Sequence, residues 1–393
     1  MLRIRVSLIF FFVSGLVTAQ DKNTPDTVDA IIFLRNLFKK EQKQTSPKFS
    51  ILPAVGYNPT YGLTLGANGT SVFQTGTTDN NPLSTAFGNF FYGTKNVLNL
   101  QLRHNVFSAE GNYYSLGDIQ IGSLSTPTYF PDDDDTKYIL RFKTFRINQR
   151  IYRKVKGPFF AGAGIALELY GKINDEALDI PAGVVTPHYT YNTLKNIPVN
   201  AYNSNGLMLN LLYHTREHPV RAYGGIFAEL VLKMNQKWMG SQQNAVTLAT
   251  DIRKYWSLSA RNREHVLALW HWASYTLSGS LPYINLPGTG TDHYTRSGRA
   301  FTIGRFKGPS FFYLESEYRF PITRNKLFSG VAFVNMQSAS NQRNSGLFKK
   351  VQPAAGAGLR VLLNKKTRSN LCLDYAMGLN GNGGFFFGLN EVF

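Results

Sequence analysis

From Phe49 to the last residue, apolar and polar side chains alternate with a period of two, interrupted every ten to fifteen residues or so by Gly, Asn, Pro or Asp. A strand turns successive side chains to opposite faces, so this pattern predicts many strands, each with one oily and one polar side. In "FFYLESEYRF", Phe312, Leu314, Tyr318 and Phe320 oppose Tyr313, Glu315, Glu317 and Arg319. In "PAAGAGLRVLL", Ala355, Ala357, Leu359, Val361 and Leu363 oppose Gly356, Gly358 and Arg360. In "RSNLCLDYAMG", Leu371, Leu373, Tyr375 and Met377 oppose Asn370, Cys372 and Asp374. Residues 49–393, divided among strands of roughly 9 to 11 residues plus turns, give about 16 strands. The irregular stretches 171–205 and 280–310 then become long loops.

Two folds use such alternation: a soluble sandwich with the oily face inward, and a transmembrane antiparallel β-barrel with it outward. A soluble sheet of this size needs a covering layer, and the chain offers no helices to supply one. The first residues, "MLRIRVSLIFFFVSGLVTAQ", place Arg3 and Arg5 before a short apolar core and end in the small-residue pattern Val17-Thr18-Ala19. This predicts a signal peptide over 1–19 and export. Residues 20–48 predict a periplasmic tether with one short amphipathic helix, capped by Thr24 and carrying Ile31, Leu34 and Phe38 on one face. The expected class is therefore an all-β outer-membrane barrel over 49–393, ending in "GGFFFGLNEVF", where Phe387, Leu389 and the terminal Phe393 form a final-strand signal.

Composition sharpens this. Phe 29, Tyr 21 and Gly 35, with only 17% charged residues, suit an aromatic-girdled sheet. The net charge of +18 suits outer-membrane lipids and the phosphates of lipopolysaccharide; an exported chain seldom meets nucleic acid. A single cysteine, Cys372, rules out an internal disulfide.

Chemistry-bearing motifs are few. "HTREH", His214 to His218, fits a zinc-hydrolase pattern, but that chemistry needs both imidazoles on one helical face, and here the motif ends an alternating strand and precedes Pro219. The run Asp132 to Asp135 lacks the spaced ligands and glycine of a calcium loop. No phosphate loop, nucleophile elbow or paired-carboxylate spacing is present, so neither an enzyme, a metal nor a cofactor is expected.

The segment "SGRAFTIGRFKGPSFFYLESEYRFPI" gathers Arg299, Phe301 and Arg305 just before a strand whose polar face carries Glu315 and Glu317. An arginine on a loop folded into a lumen would be pinned by such carboxylates. Charge pattern alone is equally compatible with a solvated basic loop.

After residue 48 the chain resembles the BamA-type bacterial surface antigen superfamily of outer-membrane assembly and translocation barrels. The resemblance rests on the opening segment "FSILPAVGYNPTYGLTLGA" and on His214-Thr215-Arg216-Glu217 at a family D-x-R-D position. It continues in Asp251-Ile252-Arg253-Lys254-Tyr255 and in Arg299-Ala300-Phe301 at the place of the Arg-Gly-aromatic motif of the sixth loop. It implies that this loop tucks into the lumen and docks on acidic residues. Ala300 replaces the family glycine, and Asn335 stands at the family's acidic docking position, so Glu315 or Glu317 would have to serve. Arg216, Glu217, Asp251, Arg253, Arg360 and Asp374 are the further lumen or motif residues. The family's periplasmic POTRA domains have no room here.

Three functions follow as expectations. In the first, the barrel aids insertion or translocation of client barrel proteins, working with separate partner subunits; the strand near Leu63 and the one ending at Phe393 would then form a weak seam. In the second it is a scaffold that recruits a partner through its tether or loops. The third is a passive channel preferring small anions.

Overall fold

The computed structural model describes residues 29–30, 49–58, 61–76, 82–131, 136–379 and 381–393. The expected signal peptide, nearly all of the tether and the Asp132–Asp135 run lie outside them. The chain forms a transmembrane antiparallel β-barrel. In order, the strands are β1 (Phe49–Asn58), β2 (Gly62–Gln74), β3 (Leu83–Gly93), β4 (Val97–Phe107), β5 (Tyr113–Thr128), β6 (Tyr138–Lys156), β7 (Phe159–Asp175) and the two-residue β8 (Tyr202–Asn203). There follow β9 (Gly206–His214), β10 (Gly225–Asn235), β11 (Ala245–Ser257), β12 (Val266–Gly279), β13 (Ser310–Pro321), β14 (Phe328–Ala339), β15 (Gln352–Asn364), β16 (Ser369–Gly378) and β17 (Gly383–Leu389). Each pairs with its chain neighbour, and β8 and β9 both pair with β7, so the wall has 16 positions.

The alternation builds this wall. On β4, Leu98, Leu100 and Leu102 face out, while Asn99, Gln101 and Asn105 are buried inside. On β6, the exposed Lys143 and Arg153 bracket Phe145, Ile147 and Ile151. At about 3.3 Å per residue and a tilt near 40°, that interval spans roughly 25 Å, the height of the apolar band of an outer-membrane barrel. Inward aromatics fill the end of the barrel where β1 begins and β17 stops. Phe107, Tyr114, Tyr152, Phe160 and Phe227 form one cluster there, and Tyr255, Trp270, Tyr313 and Phe393 form another.

The connections 176–205 and 280–309 both leave the opposite end and cap it. Strand β7 runs to Asp175, beyond the expected boundary, and within the first loop lies helix α1 (Pro187–Leu194). Thr186 caps α1, accepting the Tyr189 N–H at 3.3 Å, and Pro187 sits where a missing N–H costs nothing. Asn192 of α1 accepts the Tyr283 N–H of the second loop at 3.1 Å, joining the two caps.

Two expectations are corrected. Leu63 lies in β2, one strand inside the edge, so the barrel's first edge is β1. The final strand does not run through Phe393. It stops at Leu389, which is 8% exposed against 75% and 68% for Phe385 and Phe387. Asn390 takes φ 71° and turns the chain inward, where Glu391 finds arginines and Phe393 packs on Trp270 with ring centroids 5.3 Å apart. Among the described residues no ladder joins β17 to β1.

Candidate functional site: the loop-filled lumen

Residues 280–309 fold back into the barrel, where Arg299 is almost fully buried. Its Nη1 donates to Asp374 at 2.9 Å and its Nη2 to Glu317 at 2.5 Å, and it forks onto Glu315, which also accepts the Tyr313 hydroxyl. The guanidinium carbon lies 3.4 Å from the Phe333 ring centroid. Glu315 and Glu317 are wholly buried, as their parity on β13 requires. Desolvation works against the charge on Arg299, but three carboxylates outweigh it and hold its pKa above the ordinary value.

The loop tip fits by small-residue clearances. Ala300 adopts φ 94°, a conformation that favours glycine, so the backbone keeps the tight tip at a cost in strain. Asn335 donates to the Arg299 carbonyl at 3.2 Å, supporting the tip while the carboxylates take the charge. Phe301 is buried against Phe306, and a Cβ on Gly378 would lie within 2.5 Å of its ring. Arg305 stands apart from this centre, stacked over Tyr129 and Phe306 at 5.1 and 5.0 Å.

Around Arg299 a wider network closes. Arg319 bonds Glu317 at 2.6 Å and the Phe393 carbonyl at 2.8 Å. Arg360 bridges Asp374 and Glu391, the latter at 2.8 Å, and Arg221 lies 3.4 Å from Glu391. Arg221, Arg299, Arg319 and Arg360 thus face Glu315, Glu317, Asp374 and Glu391, charge for charge. Arg253 makes a two-point bond to Asp251 at 2.8 and 2.6 Å, and Trp270 donates to the same carboxylate at 3.0 Å.

The remaining motif residues have local roles. Glu217 accepts the N–H groups of Tyr223 and Gly224 and so shapes the turn 215–224; Arg216 stacks over Phe227 at 4.5 Å. His214 ends β9 among aromatic rings, whereas His218 accepts the Val220 N–H at 3.2 Å. Each imidazole therefore serves its own segment.

Sequence reasoning missed Glu391, Arg221 and Arg296. Glu391 follows an outward-alternating run with no sign that the chain turns in. Arg296 spends its guanidinium on the main-chain carbonyls of Leu389 (2.7 Å) and Glu391, which leaves no carboxylate partner to look for.

The other half of the lumen is open. A cavity of about 770 Å³ is lined by strands β2–β7, β10 and β11 and by the loop residues Asp292, His293 and Tyr294. Side-chain amides run across its wall, Asn89 donating to Asn68 (2.7 Å), Asn99 to Asn89 (2.6 Å) and Gln120 to Asn99 (2.7 Å).

No family model matches the sequence, and no curated protein does. Solved structures do match. BamA from Haemophilus ducreyi lacking POTRA domains 1–3 aligns at TM-score 0.57 and 16% identity, covering 88% of this chain and 70% of that one. CdiB from Acinetobacter baumannii aligns at 0.54 and 14%, covering 93% and 64%, and CdiB from Escherichia coli at 0.57 and 9%, covering 87% and 62%. The chain therefore has the barrel fold of these proteins and spans less than two thirds of either CdiB chain.

Proposed function

We propose that this chain is an outer-membrane barrel that helps insert or translocate other outer-membrane proteins, working with separate partners and with its inward loop locked by Arg299. The observation that carries the proposal is an inward-folded loop bonded through Arg299 beside a seam that no ladder joins among the described residues. Among the described residues, ladders hold fifteen of the wall's junctions and none joins β17 to β1, so two strand edges lack a ladder partner and an extended segment of a client can add a strand there. Likeness of fold to BamA and CdiB supports the same direction. Residues 280–309 and the tail 390–393 take up one half of the lumen beside the open cavity, which weighs against a passive anion channel. Lipopolysaccharide phosphates fit the basic surface as neighbours of the barrel.

The test is site-specific crosslinking in the native host from Val55 on β1, with Phe145 on the far wall as control. Nascent barrel proteins captured from Val55 and not from Phe145 are expected. Capture from neither, with a stoichiometric companion in mild-detergent purification, would favour the scaffold function instead.

A further inference from the structure

The direction of each main-chain group at the seam can be worked out from the neighbouring bonds. Leu63 donates its N–H to Thr94 Oγ1 at 3.1 Å, and its carbonyl accepts the Thr94 N–H at 3.0 Å, so both groups point away from β1. Main-chain direction alternates along a strand, so Leu65, Ala67 and Gly69 of β2 also turn toward β3. Their register partners on β1, Val55, Pro53 and Ile51, must then turn their own groups away from β2, into the seam. The Phe49 carbonyl has the same parity and is indeed taken from that side, by Asn364 Nδ2 at 3.3 Å.

Proline has no N–H, and here its nitrogen faces the free edge. From Ile51 to Val55 the edge therefore presents no donor over a step of about 13 Å. On the opposite edge, Asn390 N–H bonds Asn370 and Gly378 N–H bonds Asn382, which sends Gly383, Phe385, Phe387 and Leu389 toward the seam. The seam-facing Leu389 carbonyl is held by Arg296 of the inward loop, together with the Glu391 carbonyl beyond it.

We infer that Pro53 and Arg296 are positioning residues that keep β1 and β17 from zipping together and fix where an incoming strand can bond. Resting on the function proposed above, this makes the acceptor of a client strand find donors at Val55 and Tyr57, or at Ile51, with a gap between. The partner is an extended segment bonding through its main chain, in one of two short registers.

Amide hydrogen exchange of the full barrel in nanodiscs tests this with Pro53→Val, with Pro53→Val/Val55→Pro, and with Arg296→Gln. Restoring one donor in mid-edge lets a continuous ladder form. Protection at Ile51 and Val55 is expected to rise about tenfold in Pro53→Val, the effect of roughly one net hydrogen bond per opening unit. It should stay low at Ile51 in the double variant, and Leu389 should become protected from the β1 side in Arg296→Gln. Unchanged exchange in Pro53→Val overturns the inference. So does protection that rises only in a species of doubled mass, since Pro53 would then merely guard against self-pairing. Client insertion measured on the same variants separates the two claims: a tenfold gain in protection without slower insertion leaves the seam assignment standing and removes the function.

Discussion

The two halves of the lumen are built differently. On the β12–β17 side, four arginines and four carboxylates are buried together and matched one for one, and Arg299 of the inward loop bonds three of the carboxylates. On the β2–β7 side, amides and ion pairs line a cavity of about 770 Å³, where water can replace a lost partner. In the dry half a removed charge strands its partners; in the wet half it does not. Arg299 bonds the first wall, Tyr294 and Asn285 of the same loop bond Asn105 and Tyr170 on the second, and the seam lies where the first wall ends.

Removing the clamp should have the largest effect. Arg299→Ala leaves Glu315 without a cation, while Glu317 and Asp374 keep Arg319 and Arg360, and breaking a buried pair in this way costs about 3–5 kcal/mol. The unfolding temperature in detergent should fall, and residues 280–309 should become sensitive to trypsin. A cost no greater than that of a cavity-side variant would erase the distinction between the halves.

Glu391→Gln keeps the shape but removes the charge facing Arg360 and Arg221. A loss of about 2 kcal/mol is expected in the same unfolding measurement, with the 390–393 tail released to carboxypeptidase. An intact tail would show that Phe393 packing alone holds it.

The cap offers a pH probe. Lys307 donates to the Ile284 carbonyl at 3.1 Å beside the Tyr283 ring, and burial pushes its pKa down to about 7. Between there and its ordinary value of 10.5 the unfolded chain binds one proton more than the folded chain, so stability rises with pH across that window. Thermal midpoints of the wild type should climb relative to Lys307→Met from pH 7 to pH 10; parallel curves would mean that the amine is solvated.

Two smaller effects sharpen the contrast. Ala300→Gly relieves the strained tip and should stabilise by about 1 kcal/mol. Asn89→Ala interrupts the amide chain in the wet half and should cost under about 1 kcal/mol. A larger loss would show that the chain of amides, and not water, holds that wall.

Much of the barrel was legible because lipid and lumen impose opposite demands at a period of two. The faces of β13, β15 and β16 follow from that alone, and so does the burial of Glu315, Glu317, Arg360 and Asp374 together. That Asp374 also meets Arg299 was not legible, because it lies three strands from β13 and only the curvature of the wall brings it near. The end of β17 was hidden too: a period-two run does not announce where a strand stops, and Asn390 in a left-handed turn leaves only a weak mark. The Thr186-Pro187 start of α1 was a readable capping signal inside a stretch taken for an irregular loop. Pro53 stood in plain view, but the side its nitrogen faces depends on the parity of β2.

The most direct single measurement is native-state amide exchange of the wild-type barrel in nanodiscs, comparing the seam-facing amides of Ile51, Val55, Phe385 and Phe387 with those of Glu315 and Glu317 on β13. Fast exchange at the seam beside slow exchange on β13 is the predicted result. Equal, slow exchange on both would mean a barrel zipped shut all the way round, and would contradict a locked lumen with an open edge.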